Sequence, residues 1–538
     1  MSVCAVSGTN VRSALLSLAL LLVPPGAGAQ TSAFTQSSAF TQSLAATASA
    51  EPAVADWYRT TGYRTLWTGP EDAARRAALL AALATADLHG LPRARYDAEA
   101  IRAALAAAAT EGDRGRIEVQ MTRAYLAWAG DLTSGALEPK TVDGGILREI
   151  LRPDPQVLLS RIATGEPEAV LAGLVPDSPV YVQLMKAKLD LEAVIAAGGW
   201  GEPLAAVPLE PGATGPAVVA LRDRLVRLGY LRATASASYD AGLQAAVQRV
   251  QLDNGLVADG RLGEGTIAEL NRTPEERLQS VVVALERERW MHIDRDVRHV
   301  WVNLPDFKAR IVDQGRTIFE TRVVIGKNVP DQRSPEFSDE MEHMVINPSW
   351  GVPRSIIVKE YLPLLQKNPN AVGHLQVVDR RGRVVPRGSV NFGAYTARSF
   401  PYALRQPPSD DNALGKVKFM FPNPYNIYLH DTPSKSLFDK EVRAYSHGCI
   451  RVADPFDLAH ELLSWQTDDA EGEFETALET GRETTVKLNR HLPVHLVYFT
   501  AYPDAKGRMT WRRDVYGRDA ALWQALSAAG VELPGVRG

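Results

Sequence analysis

The segment HDTPSKSLFDKEVRAYSHGCIRV, His430 to Val452, is the one around which the rest of the chain is read. It carries Cys449, one of only two cysteines in 538 residues; the other, Cys4, lies at the start. A lone thiol between a glycine and an isoleucine has two readings, a reactive nucleophile or a small apolar side chain that fills a core. An unperturbed thiol has a pKa near ~8.5, so a nucleophilic cysteine needs a base or a cation within reach. Two histidines are close in sequence. His447 lies two residues before Cys449; on an extended segment it shares a face with the thiol but cannot easily bond to it. His430, at the end of NIYLHD, is better placed, because two adjacent strands can bring it opposite Cys449. Either the carboxylate or the main-chain carbonyl of Asp431 can then orient its ring. Gly448, with no Cβ, lets the backbone turn so that its own amide and that of Cys449 point at a developing oxyanion.

The sequence around this segment has β texture. HVWVNLP alternates, RIVDQGRTIFETRVVIG reads as strand, turn, strand, and VVDRRGRVV as a hairpin. EYLPLLQKNP is a short helix, and SFPYALRQPPSDDNALG (Ser399 to Gly415) is longer than a tight connection needs, as lids and binding loops often are. After the cysteine, Asp454 as N-cap, Pro455 at the first helical position and Asp457 at the third mark a helix start.

The first half reads differently. Residues 30–52 are rich in Ser, Thr, Ala and Gln and repeat SAFTQS, which predicts a flexible leader. DWYRTTGYRTLWTG, from Asp56, supplies aromatics to anchor a core, and helical patterns follow, with Gly90 a C-cap and Asp97 an N-cap. The Gly/Pro-rich stretch from Gly198 to Gly215 marks a boundary. Beyond it Val218, Leu221, Leu225 and Leu228 fall at helical spacing, and Leu243, Val247 and Val250 form a second apolar face.

Composition bounds the function. A length of 538 residues suggests three or four domains, and a net charge of -4 offers no basic field for nucleic acid or an anionic membrane. Arg12, the apolar run ALLSLALLLV (Ala14 to Val23) and AGA at Ala27 to Ala29 have the pattern of a secretory signal, too short for the ~20 residues of a membrane-spanning helix. Removing it takes Cys4 with it, leaving an exported chain with one unpaired thiol, which favours chemistry over packing. No H-E-x-x-H or CxxC spacing, phosphate loop or dinucleotide fingerprint is present, so no metal and no cofactor are expected.

Two resemblances sharpen this. GPAVVALRDRLVRLGYL with YDAGLQAAVQRVQLDNGLVADGRLGEGTIAELN resembles the peptidoglycan-binding domain type 1, departing where Val250-Gln251 stands for the usual Phe-Gln. Binding to the wall and mere scaffolding are both open for it. The opening segment resembles the Ser-His-Gly-Cys signature of YkuD-type L,D-transpeptidases. INPSWGVP, RQPPSDDNALGKVKFMFPNPYNIYLHDTP and HLVYFTAY are similar to the large periplasmic branch of that family. The resemblance implies a multidomain α+β chain. Its expected parts are a signal peptide (1–29), the leader (30–52), a helical scaffold domain (53–207), a small three-helix peptidoglycan-binding-like domain (208–272) and a helical connector (273–297). A mostly-β catalytic domain (298–500) follows, with a capping insert at about 354–415 that carries Arg405, and a C-terminal extension (501–538) ends the chain.

Carried onto this chain, the resemblance implies Cys449 as nucleophile, His430 as general base, Asp431 as the residue that orients it, and the Gly448 and Cys449 amides as oxyanion hole. His447 holds the loop in this reading. Arg451 either pairs with a stem-peptide carboxylate or forms a structural ion pair; Tyr428, Trp350 and Ser446 complete the candidate substrate-binding set. The implied reaction forms 3→3 cross-links in peptidoglycan, from a tetrapeptide donor stem to an amine acceptor, in the periplasm, with other wall-synthesis enzymes as further partners. Trimming by water, attachment of a protein to the wall, and a wall-binding scaffold with no catalysis are the alternatives.

Overall fold

The computed structural model of the chain describes residues 37–533. The expected signal peptide and residues 30–36 lie outside the described residues. Among those described, no helix is long and apolar enough to cross a membrane. The architecture is multidomain α+β, with a helical N-terminal half followed by a mostly-β domain.

The expected flexible leader is a correction. Ser38–Ala48 is a helix capped by the Ser37 side chain, and Phe40, Leu44 and Ala48 are fully buried on one of its faces. Spacing by four puts these residues in one apolar stripe, which outweighs the polar composition around it. The stripe packs on the long helix Glu111–Ser134, where Gly115 permits the approach: a Cβ there would lie 2.6 Å from the Phe40 carbonyl oxygen. The aromatics from Asp56 onward do enter the helical core, with Tyr58 and Trp67 buried. Buried Glu118 pins their loop, accepting from the Leu66 and Thr68 amides at 2.5 and 2.9 Å and from the Tyr58 hydroxyl at 2.9 Å.

The helices Pro216–Arg227, Ala241–Asp253 and Glu264–Leu270 share a small core of Val218, Leu221, Leu225, Leu243, Val247 and Val250. Gln251 is buried beside them; its Nε2 donates to Asp259 at 2.8 Å and its Oε1 accepts from the Gly260 amide at 2.8 Å, holding the loop between the last two helices.

The helix Pro274–Arg289, expected as a connector, is almost wholly buried instead. Arg287 bonds Glu336 at 2.6 Å and Asp519 at 2.8 Å, which ties the helix to the β domain and to the last helix, Arg518–Ala528. The described segment after residue 500 is therefore built into the core and is no appendage: Leu522 and Leu526 are buried in the same cluster as Val281 and Leu285.

The β domain contributes, in chain order, β1 (His299–Asn303), β2 (Lys308–Asp313), β3 (Arg316–Gly326) and β4 (Phe337–Ile346). A separate four-stranded sheet follows: β5 (Trp350–Gly351), β6 (Gln376–Val378), β7 (Val384–Val385) and β8 (Ala403–Gln406). The main sheet resumes with β9 (Val417–Met420), β10 (Leu429–His430), β11 (Ala444–Ser446), β12 (Ile450–Val452) and β13 (Thr484–Val497); β14 (Ala501–Pro503) and β15 (Met509–Trp511) form a hairpin. The main sheet runs β11-β3-β12-β10-β9-β4-β13-β1-β2, and a further β2–β3 pairing closes it into a barrel. Closure leaves few unpaired strand edges and fixes β10 and β12 as parallel neighbours in its wall.

Candidate active site

Register decides which side chains meet. Leu429 lies opposite Ile450 and His430 opposite Arg451 on the parallel pair β10–β12. Side chains alternate along each strand. Leu429 and Ile450 are fully buried in the barrel core, while Tyr428, His430, Cys449 and Arg451 turn to the other face and line one cleft. This corrects the expectation that His430 faces Cys449 directly. Tyr428 holds that position, and His430 sits one step along the strand, diagonal to the thiol.

The cleft encloses about 500 Å³. Its floor is this sheet face and its roof is the small sheet with the helical turns Arg354–Ile356, Ile357–Tyr361 and Leu362–Lys367. The roof has its own core of Trp350, Leu365, Val377, Phe400 and Leu404. Trp350 belongs to it, buried and edge-on to Tyr361 at 6.5 Å, with part of its ring reaching the cleft. Arg405 points elsewhere, donating to Gln376 at 3.0 Å within the roof's own sheet. The PPSDDN turn is held by buried Asn412, whose amide donates to the Pro407 carbonyl at 2.9 Å, and it places Asp411 at the rim of the cleft.

His430 is buried, and its Nδ1 donates to the Asp431 main-chain carbonyl at 2.5 Å, leaving Nε2 as the nitrogen that can take a proton. The carboxylate of Asp431 does other work. It accepts from the Lys416 amide at 2.8 Å, the Thr432 amide at 2.7 Å and the Lys435 ammonium at 2.7 Å, fixing the strand end that presents the ring. The Tyr428 ring packs 5.7 Å from the imidazole.

Cys449 is half-buried, and its thiol donates to the Asn426 carbonyl at 3.4 Å. Among the described residues no hydrogen bond joins it to His430. Burial pushes the thiol up to about 11, against smaller lowering influences from Tyr428 and Arg451. Burial also depresses His430 to about 3, with Arg451 adding to the effect. The resting pair is thus neutral thiol and neutral imidazole, with the ring free to accept a proton as the sulfur bonds elsewhere. Burial raises Tyr428 and lowers Arg451, whose Nε has no hydrogen-bond partner and which forms no ion pair among the described residues.

The turn before Cys449 differs from expectation in one respect. The Gly448 amide does not face the cleft as a free donor: it donates to Ser446 Oγ at 3.1 Å, and the Ser446 hydroxyl donates to the Cys449 carbonyl at 2.5 Å. Ser446 is buried and is the staple of the turn, which leaves the Cys449 amide as the main-chain donor without an acceptor among the described residues. Gly448 has φ +119°, a conformation that glycine alone adopts readily. The Ser334 hydroxyl donates to its carbonyl at 2.6 Å from behind. The Tyr516 hydroxyl in turn lies 2.6 Å from the Gly326 carbonyl and 3.2 Å from the Ser334 amide. His447 points to the roof, with its Nε2 2.7 Å from Glu360 Oε1. Sequence reasoning missed Asn426, Ser334, Tyr516 and Glu360. Of these only Asn426, in the turn-rich PNPYN, carried any local signal.

Comparison with known proteins bears on the domains and not on the geometry of the cleft. Residues 297–485 match the family model described as "L,D-transpeptidase catalytic domain", 52–187 match "Scaffold domain", and 214–270 match "Putative peptidoglycan binding domain". A curated Haemophilus influenzae protein described as "Putative L,D-transpeptidase" is 33% identical over 225 residues, covering 41% of this chain and 45% of that one. The match thus spans less than half the length of that relative. Solved L,D-transpeptidase structures from Xylanimonas cellulosilytica and Stackebrandtia nassauensis are each 16% identical, cover 55% of this chain and 100% and 97% of theirs, and superpose with TM-scores of 0.17 and 0.21. Overlap that poor adds no support.

Proposed function

Since the chain carries a YkuD-type L,D-transpeptidase catalytic domain behind a scaffold domain and a peptidoglycan-binding domain, we propose that it is a peptidoglycan L,D-transpeptidase using Cys449 as nucleophile. One observation carries the reading: Cys449, His430, Tyr428 and Arg451 share one sheet face at the floor of one roofed cleft.

Cys449 Sγ attacks the carbonyl that joins the third residue of a tetrapeptide stem to its terminal D-Ala. As the sulfur–carbon bond forms, the thiol proton passes to Nε2 of His430, whose Nδ1 stays anchored on the Asp431 carbonyl. The Cys449 amide faces the developing oxyanion. D-Ala leaves with the proton from His430, giving a thioester. The side-chain amine of a second stem then attacks, loses a proton to His430, and expels the thiolate, which recovers that proton. Arg451, which has no carboxylate partner among the described residues, supplies a cation for the stem's carboxylate. A roof over the cleft disfavours water as the acceptor and so favours cross-linking over trimming. In this reading the protein works where peptidoglycan is, in the periplasm after signal cleavage.

The test is incubation with disaccharide-tetrapeptide, followed by mass spectrometry. Dimers linked 3→3 with D-Ala release are expected, and Cys449→Ala abolishes them. Tripeptide alone would instead assign an L,D-carboxypeptidase, and no product of either kind would refute the proposal.

A further inference from the structure

We infer that Glu360, on the roof, is a positioning residue for the nucleophile: through His447, the closed roof sets the turn that carries Cys449. The inference deepens the acyl-transfer reading above and rests on it.

Two adjacent roof residues reach down to the floor. Glu360 Oε1 meets His447 Nε2 at 2.7 Å, and Lys359 pairs with Asp331. Both lie on Ile357–Tyr361, a single π-helical turn between the helical pieces Arg354–Ile356 and Leu362–Lys367. Such wider turns are rare and are frequent at functional sites. Both side chains point away from the roof's apolar core and pair with residues of the floor. Both pairs are partly exposed, and pairs of that kind add little to global stability.

What they grip is the turn of the nucleophile. His447 immediately precedes Gly448. Asp331 opens the loop whose Gln332 and Arg333 carbonyls lie 3.9 Å from where a Gly448 Cβ would stand, and whose Ser334 bonds the Gly448 carbonyl. The roof thus holds that turn directly through Glu360, and its backing loop through Lys359. With Glu360 removed, His447 loses its only side-chain anchor among the described residues, and the peptide leading into Gly448 is left to the Gly448 amide's bond to Ser446 alone.

The test uses the full chain with Glu360→Ala, Glu360→Gln and Lys359→Ala. It reads kcat and KM on tetrapeptide stems, acylation by a carbapenem, and alkylation of Cys449 by iodoacetamide. Glu360→Ala is expected to slow acylation and kcat about tenfold, in line with loss of one charge-assisted hydrogen bond, with KM within about twofold. Glu360→Gln keeps the acceptor oxygen and recovers most of the rate; Lys359→Ala, which leaves His447 anchored, lowers kcat less. Iodoacetamide alkylation changes in Glu360→Ala and returns toward wild type in Glu360→Gln. Wild-type rates in Glu360→Ala, an equal loss in Glu360→Gln, or a loss confined to KM would each overturn the inference. Wild type that alkylates but takes no carbapenem and makes no product sinks the transpeptidase reading instead, and the alkylation comparison still decides the role of Glu360.

Discussion

Replacing Ser446 by alanine tests the staple of the turn most directly. The hydroxyl accepts from the Gly448 amide at 3.1 Å and donates to the Cys449 carbonyl at 2.5 Å, and the side chain is buried. Alanine removes both bonds and strands a buried amide. An unmet buried donor costs about 1–3 kcal/mol, and an ordinary lost bond about 0.5–1.5 kcal/mol. A turn held in its native shape would therefore lose about 2–4 kcal/mol. Because the cleft lies alongside, part of this is escaped by relaxing the turn, and the relaxation moves the thiol. The expected split is about 1–2 kcal/mol of global stability, read by urea unfolding, and a fall of about 10- to 100-fold in acylation of Cys449 by a carbapenem, read by stopped flow. Ser446→Thr, which keeps the hydroxyl, should retain most of the rate. Stability within about 0.5 kcal/mol and acylation within about twofold for the alanine variant would refute the assignment.

Other substitutions probe the surroundings. Gly415→Ala places a Cβ 2.2 Å from Asp431 Oδ2 at φ +61°. The left-handed backbone alone costs about 1–2 kcal/mol, and displacing Asp431 should lower kcat with KM little changed, as steady-state kinetics will read. Glu336→Ala leaves the buried guanidinium groups of Arg287 and Arg518 without the carboxylate they bond at 2.6 and 3.2 Å. A loss of about 3–5 kcal/mol in chemical denaturation is expected. With His430 depressed to about 3, the unfolded chain binds a proton below pH ~6.5 that the native ring refuses. Stability supplied by the neutral ring is thus complete above that pH and falls by about 1.4 kcal/mol per unit toward pH 3. His430→Gln should lessen the slope of denaturation free energy by that amount, while His495 and His89, which burial lowers to about 3 and about 4, keep theirs.

How much of this was legible in sequence follows from the range of each interaction. The β texture, the three-helix unit and the presence of Cys449 and His430 in one cleft rest on local patterns and a motif, and the chain displays them. Register was out of reach. That Tyr428, and not His430, stands beside Cys449 depends on a pairing set by β9 and β3 on either side. The Ser446 hydroxyl sits inside the motif itself, yet its occupation of the Gly448 amide is a matter of turn geometry that residue names do not carry. In the leader, composition misled while spacing did not: Phe40, Leu44 and Ala48 already stand at helical intervals. The contacts of the last segment and of Glu360 join residues far apart in sequence, and a single chain offers no sign of them.

Chain order gives one of those contacts a further consequence. The Ser334 hydroxyl bonds the Gly448 carbonyl, and the Tyr516 hydroxyl braces Ser334 from a segment made well after Cys449. A chain cut short before Tyr516 has every motif residue and lacks the brace behind Ser334. The order of synthesis is therefore also an order of maturation: the sulfur is made first, and its turn is braced only once Tyr516 has followed.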